Sequence, residues 1–150
     1  MVLYEGNYIE KITSLTVADW QPLFELIPVI QSTSEFGVMA SEEKNNNGVL
    51  QIPYLLEAPV VAKFVEIVYD LPVMMKFDWS VWAEGREIVR NKNFDFDRLD
   101  IPTKCKLITA IVRNDRFCEG ALVSAFESGL ILKIIKSIKN QVDIDNVRQV

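Results

Sequence analysis

The sequence predicts a mainly α fold, a single helical domain of about six to seven helices with one small β-hairpin near residues 36–52. The chain has 150 residues, 49% of them hydrophobic, which suits one core with no disulfide or metal to stabilise it. Apolar side chains recur three and four residues apart, as on helices, and proline, glycine and capping residues divide that pattern into segments. We expect one domain over residues 1–150 with a core of about 7–140 and a frayed tail at 142–150.

Two short helices are predicted before residue 28. Asn7 and Glu10 have the spacing of a capping box, which predicts a first helix. The apolar face of this helix comprises Tyr8, Ile12 and Leu15. Asp19 is predicted to cap a second helix, which has Pro22 in its first turn and ends before Pro28.

The segment Ser41–Gly48 separates two short apolar stretches. It is rich in asparagine and glutamate, and its composition is typical of an exposed turn. The stretches on either side, Phe36–Ala40 and Val49–Ile52, are therefore predicted to pair as a β-hairpin.

A third helix is predicted to begin at Pro59, because proline suits the first turn of a helix. Its buried face comprises Val60, Val61, Phe64, Val65, Ile67 and Val68. Pro72 ends it. A fourth helix, capped by Asp78 or Ser80, is predicted to continue to about Asn91.

Three further helices are predicted after residue 100. The fifth has Pro102 in its first turn. It buries Leu107, Ile108, Ile111 and Val112 and exposes Lys106, Thr109 and Arg113. The sixth begins at about Phe117 and ends at Gly129, because glycine suits the left-handed conformation that terminates helices. The seventh buries Leu130, Ile131, Ile134, Ile135 and Ile138.

The chain contains no histidine, which limits the chemistry open to it. Ser-His and Cys-His catalytic pairs, His-ligated zinc or haem and an imidazole pH switch are excluded. Cys105 and Cys118 do not form a C-x-x-C pair and are predicted to be reduced, half-buried thiols. The loop with Asp95, Asp97 and Asp100 lacks the glycine and terminal glutamate of a calcium loop. No metal site and no cofactor are predicted.

The charge distribution bears on partners and location. The net charge of −5 disfavours binding to duplex DNA, although residues 101–150 alone carry +3. The sequence shows no signal peptide at its start and no membrane-spanning segment, so we expect no membrane partner and a cytoplasmic location.

The predicted fourth helix places an arginine among aromatic side chains. Trp79, Trp82 and Arg86 share one face of this helix. A buried guanidinium must be paired or stacked on an indole, because an unpaired buried charge costs several kcal/mol. Arg86 therefore either pairs with a carboxylate such as Asp70, which we favour, or lines a ligand site with the two tryptophans. Gly85 is predicted to mark close helix packing.

Charged residues are also concentrated at the junction of the fifth and sixth helices. Asp115 is predicted to cap the sixth helix, Phe117 to anchor the junction in the core, and Glu119 to lie in the first helical turn. Two arginines remain, Arg113 and Arg116. They either lock the angle between the helices through bidentate carboxylate pairs, which we favour, or present guanidinium groups to an anionic ligand.

These two clusters carry a resemblance to a known family. Residues 77–86 are FDWSVWAEGR, residues 107–121 are LITAIVRNDRFCEGA, and AFESG follows at 125–129. The strings resemble a family of small bacterial proteins filed as a domain of unknown function, over roughly residues 20–139. The resemblance implies a bacterial, cytoplasmic, stand-alone domain, and it assigns no activity, substrate or catalytic residue.

Three functions are compatible with the sequence. We favour a non-catalytic binding or protein-interaction module, whose partner is another protein or a second copy, because no base, nucleophile or metal constellation stands out. The alternative is a domain that binds an anionic small molecule, or a carboxylate-based enzyme with Glu119 or Asp70 as its acid/base group. Its site would comprise Trp79, Trp82, Arg86, Arg113, Arg116 and Glu119. The weakest is nucleic-acid binding through the basic residues Lys106, Arg113, Lys133 and Lys136.

Overall fold

Helices make up most of the structure, a computed structural model that describes residues 5–40 and 54–148. The α-helices, in chain order, are α1 (Glu5–Thr13), α2 (Val17–Phe24), α3 (Leu26–Ser32), α4 (Pro59–Asp70), α5 (Ala83–Arg90), α6 (Ile101–Asn114), α7 (Ala121–Glu127) and α8 (Leu130–Arg148). The strands are β1 (Gly37–Ala40) and β2 (Tyr54–Glu57), and short 3₁₀ turns lie at Trp79–Val81 and Phe96–Arg98. The predicted mainly α fold with one small hairpin is confirmed.

The core forms where α6, α7 and α8 contact one another, with α2 packed on α8 and α4 packed on α7. The apolar stripes of α4 and α8 are buried, as their helical spacing predicts. In α8 the fully buried residues are Ile131, Ile134, Ile135 and Ile138. The Phe126 ring on α7 contacts the rings of Phe64 and Phe36, each at a centroid distance of 5.3 Å. These contacts join α4, α7 and the start of the hairpin.

The helices before residue 33 differ from their prediction. Asn7 lies inside α1, and the capping box is formed by Thr16 and Asp19 instead. The Asp19 carboxylate accepts the Thr16 N–H at 2.8 Å. The hydrogen bonds that the Thr16 backbone and side chain make to this carboxylate lower the pKa of Asp19. Pro28 does not end a helix. It lies in the first turn of α3, where a backbone N–H has no acceptor within the helix, so the N–H that proline lacks costs no helical hydrogen bond.

The hairpin uses a different second strand from the predicted one. β1 pairs antiparallel with β2, with Gly37 opposite Glu57, whereas Val49–Ile52 lies outside the described residues. Gly37 in β1 approaches Val123 on α7 closely. A Cβ at Gly37 would lie 2.9 Å from the Val123 side chain and 3.1 Å from Leu55, so glycine permits this close approach.

Thr109 on α6 is fully buried, although its position on the helix predicts exposure. Its Oγ1 lies 3.0 Å from the carbonyl of Val73 and 2.8 Å from that of Cys105, and it accepts the Met75 N–H at 3.0 Å. The segment that follows α4 does not belong to a helix or strand that would pair its backbone groups. The Thr109 hydroxyl therefore satisfies backbone polar groups that would otherwise be buried unpaired.

Lys104, also on α6, is a second buried polar residue that the apolar pattern did not indicate. Its Nζ donates to the Ser137 carbonyl at 3.3 Å and to the Gln141 side chain at 3.0 Å, both on α8. Burial lowers the pKa of Lys104, and the negative charge of Asp97 opposes this effect. The ammonium group therefore links α6 to α8 at one end of the core.

The structure gives the bounds of the C-terminal helix, and the predicted fraying of residues 142–150 stays a prediction. Gly129 has a φ of 83°, which confirms that a left-handed glycine ends α7. α8 continues to Arg148, past Val142, where fraying is expected from the sequence.

In the part of the chain that the structure describes, no helix has both the length and the apolarity to cross a membrane.

The two cysteines occupy opposite environments, and neither is half-buried. Both are free thiols, with Cys105 in the core and Cys118 exposed. Burial raises the pKa of the Cys105 thiol far above its ordinary value, so that this sulfur stays protonated.

The Thr109 hydrogen bonds predict a sensitive position. Thr109→Val keeps the side-chain shape and the β-branch but leaves the buried Met75 N–H without an acceptor, so we expect a loss of about 1–3 kcal/mol in the free energy of unfolding. Urea denaturation measures this loss. The control is Thr103→Val on the same helix, where we expect a change within about 0.5 kcal/mol. Equal effects would show that the hydrogen bonds do not matter.

The thiol environments predict selective labelling. Because only the thiolate reacts, a disulfide reagent such as dithionitrobenzoate is expected to modify Cys118 rapidly and Cys105 only after unfolding in urea. Absorbance counting of the released thiolate measures this, and Cys118→Ser should abolish the native reaction. Rapid reaction of both thiols in the native protein would contradict the placement of Cys105.

Candidate functional site

A cleft of about 650 Å³ opens between the 3₁₀ turn at Trp79–Val81, α5 and α6. This volume lies within the range of small-molecule pockets. We call this site the tryptophan cleft. The α5 side presents Trp79, Trp82, Arg86 and Arg90, the α6 side presents Leu107, Ala110 and Ile111, and Asn114 and Phe117 also line the cleft.

The Trp82 indole is held by contacts on several sides. Its ring meets Phe77 edge to face at a centroid distance of 5.5 Å. The Lys106 ammonium lies 6.0 Å from the indole and 5.3 Å from the Phe77 ring, as in a cation–π contact. A Cβ at Gly85 would overlap the indole, so glycine marks close packing, as predicted, but against Trp82 in the same segment.

The half-buried Trp79 and the exposed Phe117 form one wall of the cleft, which we call the aromatic wall. Their ring centroids are 5.9 Å apart, with a tilt of 38° between the planes. Phe117 is 80% exposed, so the prediction that it anchors the junction in the core is wrong. The reason is that α7 begins only at Ala121, which leaves residue 117 in the turn after α6 with its ring on the cleft.

Arg86 does not form the buried pair with Asp70 that the sequence favours. It is exposed, and its guanidinium donates to the carbonyl of Ser80 on the rim of the cleft. Asp70 lies elsewhere, in a separate depression of about 420 Å³ with Tyr8 and Arg113. Among the described residues, Arg86 makes no ion pair.

The junction residues are divided between structural roles and the surface. The N-cap of α7 is Gly120 and not Asp115 as predicted, but the Asp115 carboxylate still accepts the Leu122 N–H of the first turn at 3.0 Å. Glu119 is exposed in the turn before α7, outside its first helical turn. Arg116 is also exposed, and the Nε of Arg113 is buried without a hydrogen-bond partner in the described structure. The predicted carboxylate lock of Arg113 and Arg116 is therefore not seen within that part of the chain.

The structure thus brings together half of the predicted site. Trp79, Trp82 and Arg86 line the cleft, whereas Arg113, Arg116 and Glu119 do not. Sequence reasoning did not assign Arg90, Leu107, Ala110, Ile111, Asn114 and Phe117 to this site. Arg90 could have been found, because it lies at the edge of the same helical face as Arg86. No aspartate or glutamate is found among the described residues that line the cleft, and no described cluster of three or more Cys, Asp or Glu could hold a metal ion.

Gly85 gives a test of how the indole is positioned. Alanine at an internal helical position normally gains about 0.5–1 kcal/mol over glycine, but the overlap with Trp82 should cost about 1–3 kcal/mol, so we expect Gly85→Ala to destabilise. Thermal unfolding and the tryptophan emission maximum measure both consequences. Gly6→Ala in α1 is the control, since nothing lies within 4 Å of its added Cβ. An unchanged emission spectrum in Gly85→Ala would contradict the contact.

Comparison with known proteins identifies the family but not a function. Searches of the curated proteins and of the solved structures found no match. One family model matches residues 15–144, the family of unknown function DUF6508. The matched region contains the whole tryptophan cleft and most of the core. The match confirms the predicted resemblance to a family of unknown function. The chain belongs to the family of unknown function DUF6508.

Proposed function

We propose that the protein is a non-catalytic binding module whose tryptophan cleft binds a flat, apolar small molecule that carries a negative charge. The observation that carries this proposal is an open cleft in which the exposed ring of Phe117 and the half-buried ring of Trp79 share the lining with two guanidinium groups, those of Arg86 and Arg90. Such a combination of an apolar lining with a few convergent polar groups is typical of ligand sites.

The exposed aromatic wall favours a ligand with a flat apolar part. Phe117 is 80% exposed, and the half-buried Trp79 beside it adds a second ring. A ligand that covers these rings removes apolar surface from water, which stabilises binding by about 25 cal/mol per Å². The floor beneath them is also apolar, formed by Leu107, Ala110 and Ile111.

The charges on the cleft favour an anion. Arg86 and Arg90 line it, and the described lining includes no carboxylate, although the chain has 21 acidic and 16 basic residues. Guanidinium groups bind carboxylate, sulfonate and phosphate through charge-assisted hydrogen bonds. Arg86 already donates to the Ser80 carbonyl, which holds its guanidinium at the rim of the cleft.

The same geometry supports binding over the other functions considered. Glu119 and Asp70, the acid/base groups that a carboxylate-based enzyme would use, do not line the cleft. Nucleic-acid binding by a basic C-terminal stripe gains less support, because Lys106 contacts the rings of Phe77 and Trp82. A protein partner or second copy stays a prediction. We include a bacterial origin and a cytoplasmic location in the proposal: the family resemblance implies both, and the two free thiols support the location.

Titration with 8-anilinonaphthalene-1-sulfonate, an aromatic anion with a flat naphthalene ring, tests the proposal. The native protein is expected to bind one dye molecule, read as an increase in dye fluorescence. Phe117→Ala and Arg86→Gln should each weaken binding by about 1–2 kcal/mol, roughly tenfold, with unchanged unfolding temperatures because both side chains are exposed.

Two matched variants serve as controls. Val81→Ala removes an apolar side chain that is 70% exposed, and Arg116→Gln removes an exposed arginine of the junction; neither residue lines the cleft. Both should leave dye affinity unchanged. No binding to the native protein, or equal losses in the control variants, would overturn the proposed function.

A further inference from the structure

A second depression of about 660 Å³ adjoins the tryptophan cleft. The two share lining residues, among them Arg90, Ile111 and Asn114. We call this second depression the basic pocket, because Arg90 at the end of α5, Lys92 in the following loop and Lys133 on α8 all line it. It turns the cleft into an elongated site, aromatic at one end and cationic at the other.

The three cations of the basic pocket have no counter-charge within the described structure. The part of the lining that is described includes no aspartate or glutamate, and none of the three cations makes an ion pair with a described residue. All three side chains are exposed. Like charges around one pocket repel each other, and an anion bound among them removes that repulsion. A singly charged ligand in the tryptophan cleft would leave most of the positive charge of the basic pocket without a counter-charge.

The dimensions of α5 set the length of the ligand. Trp79 precedes the helix and Arg90 ends it, and the eight residues of α5 between these two ends of the site span about 12 Å at a rise of 1.5 Å per residue. A ligand that uses both ends therefore has a flat ring and an anionic group separated by a linker of several bonds. Asn114, which lines both depressions, can hydrogen-bond that linker.

We propose that the ligand is a nucleoside polyphosphate, with its base on the wall formed by Trp79 and Phe117 and its phosphates among Arg90, Lys92 and Lys133. Bases stack on aromatic side chains whatever their hydrogen-bonding edge, and phosphates are bound by guanidinium forks and lysine point charges. The inference rests on the proposed function, because it places the base in the tryptophan cleft. It adds the chemical class of the ligand and a second set of binding residues.

Isothermal titration with ATP, GTP, CTP and UTP tests this inference. For the nucleotide that binds most tightly, the nucleoside, the monophosphate and inorganic triphosphate are then titrated separately. Affinity is expected to rise with the number of phosphates, and both the nucleoside and inorganic triphosphate should bind at least about tenfold more weakly than the complete nucleotide. Equal affinity of the nucleotide and inorganic triphosphate would overturn the role of the aromatic wall.

Two lysines on α8 provide a matched pair of variants. Lys133→Gln should weaken triphosphate binding about tenfold and leave binding of 8-anilinonaphthalene-1-sulfonate unchanged, since Lys133 lines only the basic pocket. Lys136→Gln, an exposed lysine three residues further along α8 that does not line the pocket, should change neither. Equal triphosphate affinities in the two variants would overturn the inference.

The failure of this inference is distinguishable from the failure of the proposed function. If the dye binds the tryptophan cleft but no nucleoside triphosphate binds, the inference is wrong and the proposed function stands. If neither binds, both are wrong.

The last ligand titrated is a single-stranded deoxythymidine 10-mer without a terminal triphosphate. Tighter binding of that strand than of any triphosphate would overturn the assignment to a free nucleotide.

Discussion

The position of α6 within the fold determines most of what surrounds it. α6 contacts α1, α5, α7 and α8, so polar atoms on more than one of its sides must find partners inside the protein. The Thr109 hydroxyl binds the backbone at Val73 and Met75, and this segment leads within a few residues to Phe77 and Trp79. The Lys106 ammonium, one turn earlier on α6, lies over the Phe77 and Trp82 rings. One helix therefore fixes both the core and the aromatic side of the cleft.

The parts of the fold that were predictable from the sequence depend on local patterns. The burial of α4 and α8 follows from apolar residues at helical spacing, and the end of α7 follows from Gly129. The burial of Thr109 and Lys104 was not predictable, because the hydrogen bonds that hold them in the core include partners more than 30 residues away along the chain. A polar residue on a helix indicates a solvent-exposed position unless a distant segment supplies a hydrogen-bond partner. A single sequence does not reveal which segment does so.

The candidate site shows the same division. Trp79, Trp82 and Arg86 are brought together because their spacing places them on one side of the chain, even though a 3₁₀ turn interrupts the expected helix. The junction cluster was harder to predict, because its geometry depends on where α7 begins. With that start at Ala121, the side chain of Phe117 faces the cleft while Arg116 stays on the surface. A shift of a few residues in a helix boundary changes which side chains can meet.

The contact between Gly85 and the Trp82 indole also has an evolutionary consequence. Since any Cβ at position 85 would enter the space of the ring, the two positions cannot vary independently. Members of the family that keep tryptophan at the position of Trp82 should keep glycine at that of Gly85, and members with a larger residue there should have a smaller side chain in place of the indole. This pairwise covariation would distinguish relatives that retain the same aromatic wall from relatives whose cleft has a different shape.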